Sequence, residues 1–128
     1  MKDEYVKYGT AKLLKEKGFD WECYGTYNII EEVLMNEHSV TVISHTNKNS
    51  TLGDAWISAP TQQMACRWLR EEKMIFISPF PTFKDCLPYS WRVDIKNCFG
   101  EELGGKYEYI TYEDAVEAAL KYVLKNLI

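Results

Sequence analysis

Residues 74–96 read MIFISPFPTFKDCLPYSWRVDIK, and the fold turns on how this stretch is divided. Met74 to Ser78 is apolar on both faces, as in a buried strand. Trp91, Val93 and Ile95 alternate with Arg92, Asp94 and Lys96, the period-two pattern of a half-buried strand. The two segments are expected to pair as antiparallel neighbours. Between them Pro79 to Ser90 carries prolines at 79, 81 and 88, which reads as a connection too long for a two-residue hairpin.

That connection is also the candidate binding surface. Phe80, Phe83 and Tyr89 sit on a proline-stiffened segment, and exposed aromatics on such a segment lose little entropy when they bind. Phe83 and Tyr89 of the loop, with strand residue Arg92, are the candidate contact residues. The competing expectation, favoured because loops need anchors, is that Phe80, Phe83 and Tyr89 fold inward and roof the core.

Working outward, three helices frame this region. The last opens at Thr111, with Asp114 three residues on in the capping-box pattern. Tyr112, Val116, Ala119, Leu120, Val123 and Leu127 line one face, acidic residues come early, lysines come late, and Glu117 and Lys121 are spaced to pair. A second helix carries Met64, Ala65, Trp68 and Leu69 as an apolar stripe, with Pro60 in its first turn and Ser58 or Thr61 as its cap. Arg67 and Glu71 can pair on its wet side. The first helix runs from about Tyr8 to Lys17, stops at Gly18 in a left-handed conformation and lets Phe19 pack back on Leu14.

The remaining segments are less regular. Glu22 to Tyr27 looks strand-like, Ile29 to Met35 reads as strand or short helix, and Val40 to Ile43 is β-branched, so residues 22–43 are assigned two strands. Ser44 to Asp54 is a polar cluster of loop type, the segment expected to be most mobile. Lys106 to Ile110 is expected as a short strand after the glycines at 100, 104 and 105. The fold class is α+β, with three helices packed on a small, mostly antiparallel sheet in a single domain over residues 1–128.

Composition narrows the function classes. A chain of 128 residues buries roughly two-thirds of its unfolded surface, enough for one core. Fifteen basic against nineteen acidic residues give a net charge of -4, without the positive footprint of nucleic-acid binding. No run approaches the roughly 18 apolar residues of a membrane span, and the first residues lack a signal-peptide core, so a cytoplasmic setting is expected. Cysteines 23, 66, 86 and 98 form no C-x-x-C and suit reduced thiols.

Motifs for chemistry do not emerge. His38, His45 and the cysteines lack the short spacings of a metal site, so no metal or cofactor is assigned. Cys66 has Arg67 and Arg70 beside it on its helix, but free cysteine more often packs as a small hydrophobe. Glu31-Glu32, Glu71-Glu72 and Glu101-Glu102 are adjacent pairs whose side chains diverge. Gly-rich phosphate loops and nucleophile-elbow patterns are absent. The order of elements after residue 61 is that of double-stranded RNA-binding domains, yet the final helix opens with Glu113 and Asp114, which repel phosphate.

Three segments carry a family resemblance: Ala11 to Asp20 (AKLLKEKGFD), Ala59 to Ala65 (APTQQMA) with Arg67 to Glu71 (RWLRE), and Thr111 to Tyr122 (TYEDAVEAALKY). In these the chain resembles a group of small uncharacterised proteins of gut Bacteroidales and their phages or mobile elements. The resemblance brings no activity, cofactor or active-site residue. Residues 24–56 depart from that group's tyrosine-rich stretch, and Cys66 stands where the resemblance leads one to expect methionine. The reading that follows is a small non-enzymatic binding or protein-interaction domain with a protein partner. An enzyme with a dispersed Cys/His/carboxylate site and an RNA-binding domain are the alternatives.

Overall fold

The computed structural model describes residues 4–30, 32, 34–35, 46–105 and 107–128. The chain is an α+β protein. Among the described residues it has three helices and two three-stranded antiparallel sheets, where the sequence suggested one sheet. It divides into two compact units, Met1–Met64 and Ala65–Ile128.

In the first unit, α1 (Tyr8–Glu16) ends in a Schellman motif. Gly18 takes φ 93°, its N–H donates to the Lys15 carbonyl at 3.2 Å, and the Phe19 N–H donates to the Leu14 carbonyl at 2.9 Å. Leu14 and Phe19 are both buried, as the glycine stop implied. The sheet places β1 (Gly25–Asn28) between β2 (Leu34–Met35) and β3 (Trp56–Ala59). Its core holds Val6, Ala11, Leu14, Phe19, Tyr27 and Ile57. The Tyr27 hydroxyl donates to the Val6 carbonyl at 2.8 Å, which satisfies a polar tip inside that core. Val40 to Ile43, expected as a strand, lies outside the described residues, and β3 was not anticipated.

Residues 46–55 contradict the expectation of a loose loop. Asn47 exchanges both backbone hydrogen bonds with Cys23, and its side-chain amide donates to the Cys23 and Gly25 carbonyls at 2.9 and 3.1 Å. Its Oδ1 accepts from the Ser58 hydroxyl at 2.6 Å. Asn49 bridges in the same way, donating to the Phe19 carbonyl at 2.8 Å and accepting from the Ser58 N–H at 2.9 Å. The polar composition that signals a loop here supplies the bonds that fix it.

α2 (Gln62–Lys73) is capped by Thr61, whose hydroxyl accepts from the Met64 N–H at 3.2 Å. Pro60 therefore precedes the helix rather than entering its first turn. Ala65, Trp68 and Leu69 are buried, and Arg67 pairs with Glu71 at 2.9 Å on the exposed side. Met74, at φ 55°, turns the chain directly into the second sheet.

That sheet has the order β4 (Ile75–Lys84), β5 (Leu87–Asn97), β6 (Glu102–Gly104). The expected Pro79 to Ser90 loop is a hairpin instead. Lys84 pairs with Leu87 across a two-residue turn, Asp85 and Cys86, whose φ values of 52° and 65° are those of a type I′ turn. The prolines fit because of register. Trp91 exchanges both backbone hydrogen bonds with Tyr109, at 2.7 and 2.8 Å, so its polar groups face away from β4. Pro81, opposite Trp91, and Pro79, two residues on, therefore occupy pairs in which no donor is required toward β5.

Ile75, Ile77, Val93 and Ile95 form the buried face, and α3 (Tyr112–Asn126) packs against β4 and β5. α3 begins as expected, with the Thr111 hydroxyl accepting from the Asp114 N–H at 3.0 Å. Glu117, spaced to pair with Lys121, is 5% exposed. The short third strand is Glu102–Gly104, not Lys106 to Ile110; of that segment, Tyr109 contributes only its bridge to Trp91.

Candidate functional site

The distal part of the β4–β5 hairpin turns its large side chains outward. Phe83 is 67% exposed, Leu87 68%, Tyr89 65% and Phe80 37%, so the expectation that Phe80, Phe83 and Tyr89 fold inward to roof the core is overturned. The cause lies in the ladder. Thr82 pairs with Ser90 but Phe83 pairs with Pro88, which leaves Tyr89 as the extra residue of a β-bulge. A bulge re-aims the side chains around it. Below the bulge the Thr82 and Ser90 hydroxyls are hydrogen-bonded to each other, and above it the Lys84 ammonium lies 5.3 Å from the Tyr89 ring centroid. Leu87 was not singled out from sequence; flanked by Cys86 and Pro88, it gave no periodic signal.

Arg92 does not join Phe83 and Tyr89. It lies farther along β5 opposite Phe80, is half-buried, and lines a separate cleft of about 1090 Å³ within the second unit. Arg92 to Ile95 form one side of this cleft, Glu102 to Gly105 with Tyr107 and Tyr109 another, and Ala115, Ala118, Ala119 and Tyr122 of α3 the third. Along this side β5 is bridged by Tyr109 at Trp91 and by Gly104 at Ile95. Gly104 admits the Tyr122 ring, which a Cβ there would meet at 2.8 Å, and the Tyr122 hydroxyl donates to the Leu103 carbonyl at 3.2 Å. Gly105, at φ 105°, lies so close to the Val93 carbonyl that a Cβ would fall 1.9 Å from its oxygen. Among the described residues the Arg92 Nε is the buried side-chain donor that lacks a hydrogen-bond partner. An unmet buried donor costs about 1–3 kcal/mol. Of the α3 alanines that line it, Ala115 and Ala119 are buried and Ala118 is half-buried, and no motif in the sequence pointed to the cleft.

The dispersed-site enzyme reading draws on Cys66 or a histidine together with carboxylates. His38 and His45 lie outside the described residues. Burial pushes the Cys66 thiol up to about 11, with Arg70 opposing and Glu117 adding to the shift. Burial likewise raises Cys23 to about 11. Neither is a thiolate near neutral pH. Cys86 and Cys98 are exposed and free. Among the described residues no three of His, Cys, Asp and Glu gather as a metal-holding group, and no helix is long and apolar enough to cross a membrane. Compared with known proteins, the chain matches no protein-family model, no curated protein and no solved structure.

Proposed function

We infer that this chain is a non-enzymatic binding domain that engages another protein through the distal part of the β4–β5 hairpin. One observation supports the reading: Phe83, Leu87 and Tyr89 are each about two-thirds exposed on an arm whose backbone is held by an antiparallel ladder on both sides of the bulge. Anchors on a pre-formed arm give up little freedom on binding, and large aromatic side chains supply much of the energy at interface centres. A net charge of -4 favours a protein over a polyanionic partner. The sequence resemblance extends the reading to an accessory protein of a mobile element, carried in a bacterial cytoplasm.

Site-specific photocrosslinking tests it. A photoreactive residue in place of Tyr89, expressed in native host cells, is expected to trap one discrete protein. The same group at Lys12, exposed on α1, is expected to trap none. The adduct should vanish when Phe83→Ser and Leu87→Ser are added. Identical adducts from both positions, or an adduct indifferent to those substitutions, overturn the reading.

A further inference from the structure

Given the hairpin as the binding arm, a reading on which this one rests, we propose that its partner is a basic amphipathic helix. Its apolar side lies on the distal hairpin, and its lysines or arginines meet the carboxylates at the base of the arm. β4 carries Phe83 on the face that holds Ile75 and Ile77, two residues beyond Pro81, which stands opposite Trp91. α3 packs on that face, and its first residue, Tyr112, meets the Trp91 ring edge-on at 5.2 Å. Past this contact the face is open, and Phe83 is exposed. On the far side of β5, Tyr109 is bridged antiparallel to Trp91, so the chain after it runs back beside Ser90. Ile110, 87% exposed, therefore stands level with the base of the arm. Phe83, Leu87, Tyr89 and Ile110 lie on adjoining stretches of backbone that end at the first turn of α3.

Charge on this surface is one-sided. Residues 80–90 hold one base and one acid, Lys84 and Asp85, and the Lys84 ammonium lies over the Tyr89 ring. Residues 107–114 (YEYITYED) hold Glu108, Glu113 and Asp114, all exposed, and no base. Arg92, the next base along β5, lines the cleft instead. Glu113 and Asp114 also suit the start of a helix, whereas Glu108 lies outside α3 and has no such role. An exposed apolar surface rimmed by one sign of charge selects a partner of the opposite sign and speeds its approach. The occupant is a helix and not an added strand because Pro79 and Pro81 withhold main-chain donors from the β4 rim. A helix offers side-chain anchors three and four residues apart and needs no main-chain bond to its partner.

Titration of the whole chain with a synthetic leucine–lysine amphipathic helix, followed by two-dimensional NMR, tests the surface. Shift changes are expected at residues 83–90 and 108–114. The same peptide with glutamate in place of lysine should bind roughly tenfold more weakly or worse. Glu108→Gln with Asp114→Asn should weaken the lysine peptide about fivefold, as the loss of two exposed ion pairs implies. Glu16→Gln with Asp54→Asn removes the same charge from exposed sites of the first unit and should change binding less than about twofold. Phe83→Ser with Leu87→Ser should weaken it roughly tenfold. All six substituted residues are exposed, so each variant should keep the parent spectrum away from the changed sites. Absent shifts, shifts that bypass residues 83–90, or equal weakening by the two charge-removing pairs overturns the basic partner. Equal affinity for the glutamate peptide at the hairpin also overturns it, yet leaves the hairpin as a binding arm. The arm itself stands or falls by the crosslink at Tyr89, which is indifferent to the partner's charge.

Discussion

In the segment before β3, Asn47 and Asn49 turn their amides inward and hold the backbone of residues 19, 23 and 25. At the end of the β4–β5 hairpin, Phe83, Leu87 and Tyr89 turn outward and the backbone holds itself. A segment rich in polar residues is thus fastened by its side chains, while a segment rich in apolar ones leaves its side chains free. The difference teaches that residue polarity alone does not tell which stretch is anchored and which is offered to a partner. What decides is whether the main chain finds its own hydrogen bonds.

The strongest way to break the comparison is Asn47→Ala. It removes donors to two carbonyls and the acceptor of the buried Ser58 hydroxyl, and should destabilise the chain by about 3 kcal/mol in urea unfolding. A loss below about 1 kcal/mol, the worth of one ordinary hydrogen bond, would show that water replaces the clamp. Cys86→Gly acts in the opposite sense. Cys86 holds φ 65°, where a side chain is strained, so glycine should stabilise the hairpin by about 1 kcal/mol, read in the same experiment. Phe83→Ser with Tyr89→Ser should change stability by less than about 0.5 kcal/mol, as expected for exposed positions, even though it removes two aromatic rings.

The smallest effect concerns pH. The Ser50 N–H, 2.6 Å from Asp20 Oδ1, together with the Ser50 hydroxyl, holds the Asp20 carboxyl below its ordinary value. A depressed folded-state pKa contributes stability above the unfolded value, and that stability is lost as pH falls through the folded one. Asp20→Asn should therefore lower stability slightly near neutrality and flatten the acid limb of the stability curve below about pH 5, where the two curves converge. An unchanged acid limb would mean that the Ser50 contact does not discriminate between the carboxylate and its acid.

Much of the helical framework was legible because helix ends are local. Gly18 and Phe19 closed α1, and Thr111 with Asp114 opened α3, from groups within a few residues of one another. The β structure was less so, since register depends on partners far along the chain. Pro79 and Pro81 read as loop residues until Tyr109 is known to claim the other edge of Trp91. Trp56 to Ala59 reads as a helix approach until Gly25 to Asn28 lies beside it. Of the three candidate contact residues, composition and loop chemistry found Phe83 and Tyr89 together. Arg92 was grouped with them by sequence proximity, whereas the strand carries it to a cleft formed by residues 102–122.

The two prolines of β4 bear on how this chain behaves at high concentration. Among the described residues β4 has one strand neighbour, so its other rim is the natural place for a stray strand to attach and seed fibrils. Pro79 and Pro81 withhold two successive outward donors from that rim, and an incoming strand would leave its carbonyls there unmet. Apolar side chains can thus be displayed along a long hairpin while its main chain refuses to act as a template.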